Sequence, residues 1–147
     1  MDKLEALQKA YKEVNRIKIG RGYQYGKSDC WTMFTMYDRN LFPDNNLFGK
    51  ITSYSTHTVF HRKVRELGYT DVKEMVEAYG YKVIDFSNVS LGDVCFFDSK
   101  LVDLTVAIYT GKEWLNSSDD PSYEKLPMKY VKPRARILCR RDTDEKV

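Results

Sequence analysis

The hydrophobic spacing changes period part-way along the chain, and no other feature limits the fold as much. Up to about residue 80 apolar side chains recur at steps of three and four, whereas from Tyr81 onward they recur closer to every second residue. Helices come first and strands come after, a pattern that specifies an α+β domain with N-terminal helices packed on an antiparallel β-sheet. Leu4, Leu7, Tyr11, Val14 and Ile17 predict an amphipathic helix from about Lys3 to Lys18, ended by Gly20 and Gly22. Ser28-Asp29 offers an N-cap for a second, apolar helix beginning Cys30-Trp-Thr-Met-Phe-Thr-Met-Tyr37, and Pro43-Asp-Asn-Asn46 interrupts the chain after it. A third helix carries Val59, Phe60, Val64 and Leu67 up to Gly68; Asp71 caps a fourth that carries Val72, Met75, Val76 and Tyr79. Strands are predicted at 82–85, 94–97, 101–110, 113–116 and 134–140, with a hairpin turn at Gly111-Lys112.

At 147 residues and 42% hydrophobic content the chain can bury one core, and residues 1–141 read as a single domain with a short polar tail after it, 142–147. No apolar run is long enough to span a bilayer, and the charged N-terminus is not that of a signal peptide, so the expected place of synthesis is a cytoplasm, without export by that route. Three cysteines without a CxxC pair argue against a disulfide framework or a zinc site, and no cofactor motif is present. The net charge of +3 barely favours anionic partners.

Cys30 occupies the first turn of a helix, where unpaired backbone N–H groups and the helix dipole favour a thiolate and can receive an oxyanion. The competing reading is that a free cysteine is a small buried hydrophobe, and Cys95 and Cys139, the latter placed at a sheet edge, are read that way. His57 and His61 lie four residues apart on the third helix; they lack the glutamate and third ligand of a metalloprotease site. The basic run Lys129, Lys132, Arg134, Arg136, Arg140 and Arg141 invites a nucleic-acid reading. Strand alternation instead puts Arg134, Arg136 and Leu138 on a solvated face, which disfavours it.

Three segments in order, Tyr23-Gln-Tyr-Gly-Lys-Ser-Asp-Cys-Trp31, Leu91-Gly-Asp-Val-Cys-Phe-Phe97 and Thr105-Val-Ala-Ile-Tyr-Thr-Gly111, resemble the NlpC-type papain-like cysteine peptidases, above all their bacteriophage tail-associated relatives. The resemblance runs from about Tyr23 to Asn116 and implies a papain-like fold. It also implies that Cys30 stands at the nucleophile position, Tyr25 at that of the supporting tyrosine, and Asn116 at the third, polar position that orients the base. Where that family has its histidine base this chain has Thr105, which cannot shuttle a proton near neutral pH, and loss of a general base forfeits about 100- to 10,000-fold in rate. Asp103, two residues earlier and about 6–7 Å along the same strand face, is a poor substitute, since a carboxylate beside Cys30 raises the thiol's pKa.

The resemblance therefore implies a catalytically impaired domain serving as a structural or binding component of a phage particle, at the tail tip or in tail assembly. Its expected partners are other phage structural proteins and cell-wall peptide. Two alternatives stay open: an active cysteine hydrolase of peptidoglycan bonds with His57 or His61 recruited as base, and a host-interaction or nucleic-acid-binding protein on the same scaffold.

Overall fold

The computed structural model describes residues 1–99 and 104–143. Five helices and six strands are formed among them: α1 (Lys3–Arg21), α2 (Cys30–Leu41), α3 (His57–Glu66), α4 (Val72–Ala78), β1 (Lys82–Val83), β2 (Val94–Phe97), β3 (Thr105–Tyr109), β4 (Trp114–Leu115), β5 (Lys125–Leu126), α5 (Met128–Val131) and β6 (Ala135–Arg140). The strands make one antiparallel sheet in the order β1-β6-β2-β3-β4-β5. The chain is thus an α+β domain, helices first.

Each long helix starts where its capping chemistry says it should. Asp2 closes a capping box on α1, with Glu5 returning the bond, and Asp29, Thr56 and Asp71 accept from the third residue of α2, α3 and α4. α2 is the hub: every residue from Cys30 to Asp38 is buried, and the helix packs between α1 and β3. Phe34 meets both Tyr81 and Phe96 edge-on or tilted, at ring separations of 5.5 and 5.7 Å, which ties the helical layer to the sheet.

The sheet is covered on both faces rather than one. Val94, Phe96, Val106, Ile108 and Cys139 face the helices, while Cys95, Phe97, Ala107, Trp114 and Leu138 face a smaller core closed by Leu126 and Val131. This corrects the solvated-face reading of β6. Leu138 is buried, and Cys139 sits on an inner strand between β1 and β2, not at an edge. Arg134 lies in a 3-10 turn ahead of the strand, and its guanidinium stacks 4.0 Å over the Tyr130 ring. Arg136 pairs with Asp98, Arg140 with Asp93 and Arg141 with Asp38, so these four arginines are engaged within the molecule.

Other boundaries move for local reasons. α1 runs through Gly20 to Arg21 and stops at Gly22, whose φ of 80° ends the helix. Leu67 comes after α3 as its cap and is 46% exposed, outside the core. β1 and β4 have two residues each, and β5 and α5 form in a stretch with no periodic pattern of its own. The hairpin at Gly111-Lys112 is present, its Thr110 N–H donating to the Glu113 carbonyl at 2.8 Å. Residues 101–103 of the expected third strand, Asp103 included, and residues 144–147 of the tail lie outside the described residues.

Candidate functional site

The glycine-tyrosine loop is folded tightly enough to fix the start of α2. Ser28 Oγ donates to the Gly22 carbonyl at 3.1 Å and accepts from the Gln24 N–H at 2.8 Å, closing the loop on itself. Gly26 has φ of 80°, and a Cβ there would lie 1.9 Å from the Thr52 carbonyl oxygen, so only glycine fits. Asp29 accepts from the Thr32 N–H at 3.1 Å, from the Thr32 hydroxyl at 2.6 Å and from the Tyr54 hydroxyl. Tyr54, unmarked by any motif, is thereby a buried partner of the cap. Burial raises the Asp29 carboxyl above the ordinary carboxylate range, and those hydrogen bonds oppose the rise.

Cys30 opens α2 with 9% exposure. Its thiol is pushed up to about 12, first by burial and then by the Asp29 carboxylate, while the backbone N–H groups of Val106, Trp31 and Cys30 itself pull the other way. Desolvation and the neighbouring charge outweigh the helix N-terminus, so the sulfur is held as a neutral thiol near pH 7. The Val106 amide belongs to β3, and the residue before it, Thr105, lines the same cleft as Cys30. Thr105 is 5% exposed, and among the described residues its hydroxyl has no hydrogen-bond partner.

A cleft of about 590 Å³ brings together the four residues singled out from sequence, Tyr25, Cys30, Thr105 and Asn116. Asn116 comes directly after β4 and is 1% exposed; its side-chain amide donates to the Tyr123 carbonyl at 3.0 Å, and its backbone N–H donates to the Glu124 carbonyl at 2.9 Å. That amide therefore braces the cleft wall. The wall, residues 117–124, is latched further: Ser117 Oγ donates to the Ser28 carbonyl at 2.6 Å, Lys18 pairs with Glu124, and the Tyr11 hydroxyl donates to the same carboxylate at 3.0 Å. Sequence reasoning stops at Asn116 and misses this wall, although the polar Ser117-Ser-Asp-Asp-Pro121 stretch after a strand marks a rigid loop.

On the other side of Cys30 a cavity of about 30 Å³ is bounded by Tyr25, Tyr54, His57 and Leu104, with Trp31 and Phe60 behind. The His57 ring lies 5.9 Å from that of Tyr25. His61 packs instead against Phe60, ring centroids 5.5 Å apart, and is absent from the described lining of both spaces. Among the described residues no group of three or more His, Cys, Asp or Glu side chains is arranged to hold a metal ion.

The Gly92-Asp93 motif is architectural. Tyr37 donates to the Gly92 carbonyl at 2.9 Å, and a Cβ on Gly92 would fall 2.7 Å from that hydroxyl. Asp93 is buried and takes two hydrogen bonds from Arg140, at 2.7 and 2.8 Å. The motif anchors β2 beneath α2, and through the β2–β3 pairing it sets the height of Thr105 beside the helix start.

A family model described as a domain of unknown function, DUF6950, matches residues 2–132. The chain belongs to this family. The matched span takes in Tyr25, Cys30, Thr105, Asn116 and the whole cleft wall, and it ends before the inner strand β6. None of the curated proteins matches the chain. Among the described residues no helix is long and apolar enough to cross a membrane.

Proposed function

We propose that this DUF6950 domain is a papain-like domain of NlpC type that binds in its cleft without cutting, as a structural or binding component of a bacteriophage particle at the tail tip or in tail assembly. One observation carries the silent-site reading: the Cys30 thiol is buried and raised to about 12, and the residue that shares its cleft where the resemblance would put the base is a threonine, Thr105. A thiol with such a pKa is ionised about one part in 100,000 at pH 7, too little for nucleophilic turnover without an activating base. The helix-start cysteine, the strand amide facing it and the closed tyrosine loop support the papain-like reading; the phage placement and the partners, particle proteins or cell-wall peptide, rest on the sequence resemblance. Cys30→Ala is expected to leave particle assembly and infectivity unchanged, whereas Phe96→Asp, which puts a charge into the main core, abolishes both. Loss of infectivity in the alanine variant alone contradicts the proposal.

A second reading has one observation in its favour. His57 and Cys30 border the same 30 Å³ cavity, so a hydrolase using His57 as base is the competitor. In that case Cys30 attacks a carbonyl, the helix-start amides hold the oxyanion and His57 protonates the leaving amine. Turnover of peptidoglycan peptides that disappears in both Cys30→Ala and His57→Ala would establish it.

A further inference from the structure

The cleft beside Cys30 holds polar groups that serve no internal bond. Among the described residues the buried Thr105 hydroxyl has no hydrogen-bond partner, and Thr105 lines the cleft. On the rim Asp119 is exposed; burial chiefly raises the phenols of Tyr23 and Tyr25, and the Asp119 carboxylate is the smallest of the causes acting on each. Asp120, next to it, is already spent on the Ser122 N–H and hydroxyl at 3.0 and 2.8 Å. Among the described lining residues there is no lysine, arginine or histidine. Among the described lining residues the charged side chains are Asp119 and Asp120, both acidic, which disfavours an anionic group.

We propose that the cleft takes a peptide-like ligand bearing an ammonium group, with the cation between the Asp119 carboxylate and the rings of Tyr23 and Tyr25 and a ligand amide on the Thr105 hydroxyl. The chemistry is complementary at each point. A ring face attracts a cation, a carboxylate on the same rim adds a charge-assisted bond, and a threonine hydroxyl can donate to a carbonyl or accept from an N–H. Tyr23 packs edge-on against Tyr25, ring centroids 5.8 Å apart, so the two rings present differently oriented surfaces to the cleft they both line. This inference rests on the reading of the cleft as a binding site and names the charge it selects.

The test uses the full chain and three blocked tripeptides, acetyl-Gly-Lys-Gly-amide and its norleucine and glutamate counterparts, titrated while the Thr105 methyl and tyrosine ring resonances are monitored. The lysine peptide is expected to bind about tenfold more tightly than the norleucine peptide, and the glutamate peptide most weakly. Asp119→Asn, an exposed change that leaves thermal stability as it was, lowers lysine-peptide affinity about five- to tenfold and leaves norleucine binding unaltered. Equal binding of the lysine and norleucine peptides, indifference to Asp119→Asn, or no binding by any of the three at millimolar concentration overturns the inference. Binding of the neutral peptide as tightly as the lysine peptide removes the charge preference and keeps the binding cleft. Cleavage of a peptide removes the silent-site reading and keeps the charge preference.

Discussion

Cys30 illustrates how two local effects of opposite sign are decided by magnitude. A helix start favours the thiolate, but that contribution is modest and falls off within a turn, whereas loss of water around a buried sulfur is several times larger. The Asp29 carboxylate is the handle on this balance. In Asp29→Asn the neighbouring charge is gone while an amide oxygen can still cap α2, so Cys30 should react faster with a small neutral alkylating agent at pH 8, at a cost below about 1 kcal/mol in helix capping. Asp29→Ala loses the cap as well and leaves the Tyr54 hydroxyl buried without its acceptor; chemical denaturation should show a loss of about 2–4 kcal/mol. If the asparagine variant leaves thiol reactivity unchanged, the carboxylate does not act on the sulfur as described.

At the scale of elements, the site is a junction of the tyrosine loop, the start of α2, the start of β3 and the 117–124 wall. Gly26→Ala would drive a methyl group into the Thr52 carbonyl, and it should displace Tyr25 and Asp29 together. The expected result is a loss of at least about 2 kcal/mol and altered ring contacts between Tyr25 and Tyr54, visible as changed aromatic resonances. The wall depends on Lys18 and Glu124, both largely buried, so Glu124→Ala should cost about 1–2 kcal/mol and speed amide exchange at the tip of the wall. Exchange as slow as in the unaltered protein would show that Asn116 and Ser117 hold the wall alone.

Much of this junction is legible in the chain. The capping residues Asp2, Asp29 and Asp71 and the switch of period at Tyr81 report local physics, and they mark the helices and the strand-rich half correctly. Tyr25, Cys30, Thr105 and Asn116, brought from separate segments, all line one cleft. The features that stay hidden depend on contacts without a local signature. Strand β5 has two residues and exists because it pairs with β4, and Leu138 is buried because α5, itself one turn long, closes the far side of the sheet. Tyr54 and Asp119 lie in polar segments with no periodicity, and their roles arise from the groups that the fold sets opposite them.

Among the described residues, the buried thiols and several buried phenols are held in the forms that carry no charge. Cys30 and Cys95 are each raised from near 9 to about 12, and Cys139 and the buried phenols of Tyr37, Tyr54 and Tyr81 are raised as well, all chiefly by loss of water. For an acid whose folded pKa lies above its unfolded value, stability is fully present below the unfolded pKa and declines until the folded pKa is passed. The melting temperature is therefore expected to hold steady up to about pH 9 and to fall steeply between pH 9 and 12, and a flat profile over that interval would be inconsistent with thiols and phenols sealed from water. Asp38 is the contrasting case of a buried acid kept with a partner: it accepts from Leu47, Tyr81 and Arg141, whose guanidinium also stacks 3.6 Å over Phe42. Arg141→Met should cost about 1.5–3 kcal/mol, because this pair fastens the end of β6 to the helical layer.

Cys30 is buried as a neutral thiol in the cleft, and alkylation kinetics read that state without intermediaries. Iodoacetamide labelling of Cys30, read by peptide mass mapping from pH 6 to 11 on the folded protein, should be slower than for a free thiol throughout and rise towards the upper end of that range. Labelling faster than a free thiol at pH 6–7, abolished by His57→Ala, would contradict the silent-thiol claim and identify an activated nucleophile.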